Sequence, residues 1–268
     1  MDLYKKLQHN RFIIAGPCVL EDQDTLFRIA ESVAKSCEKY SFTYIFKASF
    51  DKANRTSINS FRGEGLEKGL EQLEKVKNKF NVPLTTDIHE SYQADLVKDV
   101  VDIIQIPAFL CRQTDLLLAA GKTDRVVNIK KAQFLSGESM INPVKKVMKT
   151  GNCKILLTER GSMYGFNQLV VDYTGMMDMI DIKFPVVFDA THSVQKPGSL
   201  GTATGGNREY APKLAYAAAS IGVKGFFFEV HPNPVKALSD GANSLELENF
   251  ERVVGRLAEF ANAYDKIN

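Results

Sequence analysis

Residues 12–49 read FIIAGPCVLEDQDTLFRIAESVAKSCEKYSFTYIFKAS. The segment opens on one apolar, β-rich run, Phe12–Cys18, and closes on another, Phe42–Ser49. Between them, Thr25–Lys39 carries Leu26, Ile29, Ala30, Val33 and Ala34, the spacing of one helix face. Strand, helix and strand in this order form a βαβ unit, whose crossover makes the strands parallel. Neither strand run alternates apolar with polar residues, so both of its faces are expected to be buried.

The unit recurs along the chain. Val82–Ile88, Asp102–Ala108, Val126–Ala132, Lys154–Arg160, Val186–Thr191 and Gly225–Val230 bring the strand runs to eight. Gly65–Phe80 repeats the helical stripe through Leu66, Leu70, Leu73 and Val76, and Ala211–Ile221 and Glu248–Tyr264 follow the same pattern. Eight such units predict an α/β fold, a (β/α)8 TIM barrel in a single domain over residues 1–268. A doubly wound open sheet is the alternative, because counting strands does not decide closure. The sequence has no GxGxxG and no P-loop, which weighs against nucleotide-binding open sheets.

Composition narrows the function classes. The chain has 268 residues, 44% hydrophobic and 25% charged, with a formal net charge of +2. Such a chain buries a large core, and its near-balanced charge argues against a dedicated nucleic-acid binder. No apolar run is long enough for a membrane-spanning helix, and MDLYKKLQHNRF lacks the apolar centre of a secretory signal. Cys18, Cys37, Cys111 and Cys153 are widely spaced and read as reduced thiols, so a cytoplasmic location is expected. Cys37, Cys111 and Cys153 are expected to be packed or partly exposed, and His9 a frayed surface residue.

Barrel active sites form at the C-terminal ends of the strands. Two sets of side chains gather there. The first is cationic: Lys47, Lys52, Arg55, Arg112, Lys130 and Arg160. Converging Lys and Arg suit phosphates and carboxylates, and an ammonium at Lys130, inside an apolar run, is costly without a partner. Solvated surface charge is the alternative for any one of them. The second set is Cys18, His192, Glu229 and Asp240, from strands that become neighbours when a barrel closes. A thiolate, an imidazole and two carboxylates suit Zn, Fe(II) or Mn, although their spacings match no compact metal motif. The alternatives are a small buried hydrophobe for Cys18 and a structural or phosphate-binding histidine for His192. Asp87, His89 and His231 also lie at strand ends, and the two histidines read as structural. The polar, glycine-rich Lys196–Arg208 follows the seventh strand and suits a lid or an ordinary loop.

On these residues the sequence resembles the 3-deoxy-D-manno-octulosonate 8-phosphate (KDO 8-phosphate) synthase family. The shared segments are IAGPC (14–18), FKASFDKANRTS (46–57), TDIHE (86–90), IIQIPAFLCRQTDLL (103–117), NIKK (128–131), LTERG (157–161), FDATHSVQ (188–195), FEVHPNP (228–234) and ALSDGANS (237–244). The resemblance implies a homotetrameric barrel that condenses phosphoenolpyruvate, arabinose 5-phosphate and water for lipopolysaccharide synthesis. Synthases that use erythrose 4-phosphate carry a KPRTS-type segment where this chain has KANRTS, and they are the nearest rival reading. A metal-dependent aldolase or phosphatase on the same barrel, and an inactive assembly partner, are further rivals. Metal-independent members have Asn at the position of Cys18, so the resemblance implies a divalent ion on Cys18, His192, Glu229 and Asp240. It also implies that Arg112, Lys130 and Arg160 hold the phosphoenolpyruvate phosphate, with Lys47, Ser49 and Lys52 on its carboxylate. Asn54 would take the sugar hydroxyls, and Arg55 and Thr56 the sugar phosphate. Phe109 would reach a neighbouring copy's site. For the proton transfers, Lys52 would protonate the aldehyde oxygen, and Asp87, Glu229 or His192 would take protons, with none of the three preferred.

Overall fold

The computed structural model describes residues 2–54, 57–165, 168–196 and 205–267. Eight parallel strands run around one sheet: β1 (Phe12–Gly16), β2 (Thr43–Lys47), β3 (Leu84–Asp87), β4 (Ile103–Ile106), β5 (Val126–Lys130), β6 (Ile155–Glu159), β7 (Val186–Asp189) and β8 (Gly225–His231). Phe12 pairs with Thr43 on one side and with Gly225 on the other, so β1 closes the sheet against β8. Closure settles the alternative in favour of the (β/α)8 barrel and excludes the open sheet.

Strand pleat divides the side chains. Phe12, Ile14, Ile45, Ile103, Val126, Leu156, Val187 and Phe227 fill the barrel interior. Ile13, Ala15, Phe46, Ile104, Val127, Ile129, Leu157 and Phe228 face the helices in a second, larger cluster. Both faces are therefore apolar, which is why the strand runs do not alternate in sequence. Higher in the interior, Thr158 Oγ1 donates to Asn128 Oδ1 at 2.6 Å, and Asn128 Nδ2 donates to Gln105 Oε1 at 3.4 Å. This polar layer lies between the apolar floor and the mouth.

The helices begin where local chemistry allows. Gln23–Lys39 starts two residues before the predicted Thr25, because Asp22 caps it by accepting from Thr25 N at 2.9 Å. Leu66–Phe80 ends at Asn81, held in the left-handed region at φ 50°. Tyr210–Ser220 and Leu247–Ile267 match the other two helical stripes within a few residues at each end. A helix over Leu3–His9 has no counterpart in the sequence reading. It closes the barrel floor with fully buried Leu7 and with Tyr4, whose hydroxyl donates to Ile155 O at 3.2 Å. Only two of its residues are buried, too few for a periodic stripe. His9 ends this helix, exposed as expected. Among the described residues no helix is long and apolar enough to cross a membrane.

Candidate active site

Cys18 stands just past β1, at the mouth. Gly16 makes that possible: a Cβ there would lie 1.9 Å from Lys47 O, so β1 and β2 meet at backbone distance. Cys18 Sγ is 3.1 Å from Ser239 Oγ and 3.4 Å from Asp240 Oδ2. Asp240 takes a left-handed conformation at φ 49°, in a tight loop where its carbonyl accepts from Asn243 N at 2.9 Å. Glu229, on β8, is fully buried. The donor atoms of Cys18, Glu229 and Asp240 lie within 4.8 Å of one another. His192 Nε2 points to the same place, 3.6 Å from Glu229 Oε1 and 3.8 Å from Asp240 Oδ2. Its Nδ1 is 2.7 Å from Asp189 Oδ2, which fixes the ring and leaves Nε2 facing the cluster.

This donor set fits a divalent ion. Neither oxygen of the buried Glu229 carboxylate has a hydrogen-bond partner among the described residues. An anion so placed is costly unless a cation satisfies it. Lys47 Nζ, at 3.7 Å, supplies one such charge. One thiol, one imidazole and two carboxylates match the ligand preferences of a borderline metal.

Beside the cluster lies a cationic cradle. Lys47, Lys52, Lys130 and Arg160 are all buried. Lys47 Nζ donates to Cys18 O at 3.0 Å and to Ser49 Oγ at 2.9 Å, and Lys52 Nζ reaches the same hydroxyl at 3.0 Å. Ser49 Oγ in turn donates to Asp87, whose other oxygen lies 3.2 Å from His89 Nε2. Burial alone would raise the Asp87 carboxyl, but His89, Lys47 and Lys52 hold it well below the usual range. Burial and the neighbouring Lys52 charge lower the Lys47 ammonium, against the pull of Asp87 and Glu229.

Lys130 pairs with Asp189 and stands 3.8 Å over the Phe227 ring. Asp189 therefore serves both sets, with Lys130 and His192 on one oxygen. Burial alone would raise the Asp189 carboxyl, but His192 and Lys130 beside it hold it far below the ordinary value. Arg160 Nη2 donates to Gln195 Oε1 at 2.7 Å. Its Nη1 is buried with no partner among the described residues, a donor that an incoming anion would satisfy. Burial lowers the Arg160 guanidinium, partly offset by Asp189, Glu159 and Asp240.

The fold brings together Cys18, Lys47, Ser49, Lys52, Asp87, Lys130, Arg160, His192, Glu229 and Asp240. It leaves three candidates outside that group. Asn54 and Arg112 are exposed, and Phe109, on the turn after β4, is 58% exposed. Arg55 and Thr56 lie outside the described residues, as do residues 197–204 of the predicted lid.

One strand-end assignment needs correction. His192 belongs to the short helix Ala190–Ser193 rather than to a strand, because Asp189 caps it by accepting from His192 N at 2.9 Å. Lys131 and Glu159 follow and precede cradle residues but point out of the barrel, since neighbours on a strand face opposite sides. His231 is structural, as expected, with Nε2 3.0 Å from Glu21 Oε2. The sequence reading assigned no role to Asp189, Gln195 or Ser239. Asp189 had a signal, as an acid ending an apolar run in register with the interior residues. Gln195 and Ser239 are ordinary polar loop residues and had none.

The chain matches the DAHP synthetase I family over residues 6–265. It is 54% identical over 251 residues to the 2-dehydro-3-deoxyphosphooctonate aldolase of Cyanothece sp., covering 94% of this chain and 92% of that one. It is 54% identical over 245 residues to the enzyme of the same name from Fusobacterium nucleatum, covering 91% and 88%. The Synechococcus sp. enzyme of that name is 53% identical over 251 residues, covering 94% and 88%. More than half of all positions agree along about nine-tenths of each chain, and the chain belongs to the DAHP synthetase I family, alongside its 2-dehydro-3-deoxyphosphooctonate aldolases.

Proposed function

We propose that this barrel condenses phosphoenolpyruvate with D-arabinose 5-phosphate and water, giving KDO 8-phosphate and inorganic phosphate. The observation that carries the reading is the buried cradle of Lys47, Lys52, Lys130 and Arg160 beside the Cys18–Glu229–Asp240 cluster. The names of the relatives support the same product chemistry.

Two anionic substrates repel each other at short range, and a buried cationic cradle offsets that repulsion. Lys130 and Arg160 Nη1, which has no partner among the described residues, take the phosphoenolpyruvate phosphate. Lys47, Ser49 and Lys52, already linked through the Ser49 hydroxyl, take its carboxylate. Arabinose 5-phosphate lies above, with Asn54 on its hydroxyls and Arg55 and Thr56 on its phosphate. Holding the enol carbon against the aldehyde carbon creates a near-attack geometry. A carbon–carbon bond then forms, and Lys52 delivers a proton to the aldehyde oxygen. Water adds at C2, and phosphate leaves with its bridging oxygen.

Cys18, His192, Glu229 and Asp240 would hold a divalent ion, Zn, Fe(II) or Mn. When bound, the ion supplies Lewis acidity for activating water or orienting substrates. His192 has only Nε2 free of Asp189, so we assign it to holding the ion. Asp87 has both oxygens engaged and acts by fixing Ser49 and His89. Phe109 and Arg112 share one exposed turn, and we assign them to the site of a neighbouring copy in a homotetramer. The product feeds lipopolysaccharide synthesis in the cytoplasm.

The aldehyde is tested by incubating the enzyme and phosphoenolpyruvate with either arabinose 5-phosphate or erythrose 4-phosphate, and identifying the sugar acid by mass. An eight-carbon product from the pentose phosphate is expected. A product from erythrose 4-phosphate alone would reassign the enzyme.

A further inference from the structure

Lys131 and Glu159 form an ion pair that neither the cradle nor the metal cluster uses. Nζ and Oε2 lie 3.3 Å apart, and both side chains are fully buried. They sit behind the barrel wall. Val127 and Ile129 precede Lys131 on the helix-facing side of the sheet, and Ile155 and Leu157 precede Glu159 there. A buried pair in such a place is an expensive way to fill space, since well-packed apolar residues often do as well or better. Its contacts suggest what it is for.

Lys131 Nζ donates to Leu135 O at 2.9 Å and to Ser162 Oγ at 3.0 Å, so it ties the loop after β5 to the loop after β6. Glu159 accepts from Gly161 N, fixing the turn that follows Arg160. Gly161 takes φ 91°, a conformation open to glycine at little cost. The backbones are joined as well. Lys131 N donates to Thr158 O at 2.8 Å, and Met163 N to Gln133 O at 3.0 Å. Each member of the pair adjoins a cradle cation: Lys131 follows Lys130, and Glu159 precedes Arg160. Because neighbours on a strand face opposite sides, fixing the outward pair fixes the aim of the inward one.

We infer that Lys131 and Glu159 are positioning residues: a clamp outside the barrel that sets Lys130 and Arg160 in register for the phosphate of phosphoenolpyruvate. The inference rests on the cradle assignment above. Outer partners that orient metal ligands matter by about 10–100-fold in affinity or activity, and a clamp that orients phosphate-binding cations is expected to act on the same scale. The clamp therefore acts on one substrate's binding rather than on the fold.

The test uses the full-length enzyme and the double variant Lys131→Met with Glu159→Leu. The melting temperature is expected to hold within a few degrees. KM for phosphoenolpyruvate should rise about tenfold or more. KM for arabinose 5-phosphate should stay within about twofold. An unchanged phosphoenolpyruvate KM in a folded double variant overturns the clamp. So does an equal rise in both KM values, which marks a diffuse structural role. If the double variant does not fold, Glu159→Asp replaces it, keeping the charge but shortening its reach. A severalfold rise in phosphoenolpyruvate KM with arabinose 5-phosphate KM unchanged supports the clamp, and unchanged values for both overturn it. Wild-type enzyme that condenses neither substrate refutes the functional reading instead, so the two failures are told apart.

Discussion

At the scale of single residues, the site combines charges already paired with two buried groups, Glu229 and Arg160, that keep atoms without a hydrogen-bond partner among the described residues. Lys130 is one of the paired charges, buried between Asp189 and the Phe227 ring. Lys130→Met is expected to cut kcat/KM for phosphoenolpyruvate by about 100-fold, equivalent to about 2.7 kcal/mol. Steady-state kinetics checks it, and an unchanged value removes Lys130 from the cradle. Cys18→Ala should lower the bound metal per chain, read by elemental analysis after gel filtration. Equal metal content in the variant and the wild type would remove the thiol from the ligand set.

Asp87 carries a pH prediction. Its carboxyl is depressed from 3.8, so it is ionised when folded at a pH where the unfolded chain takes up a proton. Its contribution is full above about pH 4 and is lost as the pH falls below that. Asp87→Asn should be less stable than wild type at pH 7, with the difference narrowing below about pH 4. Urea midpoints at both pH values decide it, and a constant difference would contradict the assignment.

At the scale of elements, the strands were the most legible part of the chain. Continuous apolar runs such as FIIAG and GFFFEV arise because every strand is covered on both faces. Their ends were less legible. The strand read over Val186–Thr191 stops at Asp189, which caps a helix there and places His192 off the strand. The floor helix Leu3–His9 was missed because its burial rests on Leu7 and Tyr4 rather than on a periodic stripe. Leu7 is nonetheless fully buried, so Leu7→Ala should cost about 2–5 kcal/mol in denaturant unfolding. A loss under about 0.5 kcal/mol would show that the helix contributes little to the barrel.

At the scale of the whole molecule, barrel closure turns distant residues into neighbours. Cys18 and Asp240 are 222 positions apart in sequence, yet Sγ and Oδ2 are 3.4 Å apart. No local spacing could reveal that pair. It is legible only through the count of eight strands and the closure that this count predicts. Asp189 shows the opposite limit: its position was visible, but its double role depends on where Lys130 and His192 arrive.

The central claim is tested most directly by following phosphate release from phosphoenolpyruvate plus arabinose 5-phosphate, with and without EDTA, and then adding back Mn, Fe(II), Zn or Co. Release that EDTA stops and a divalent ion restores is the predicted result. Release indifferent to EDTA would keep the synthase and contradict the role given to Cys18, His192, Glu229 and Asp240. No release with any metal would contradict the functional reading itself.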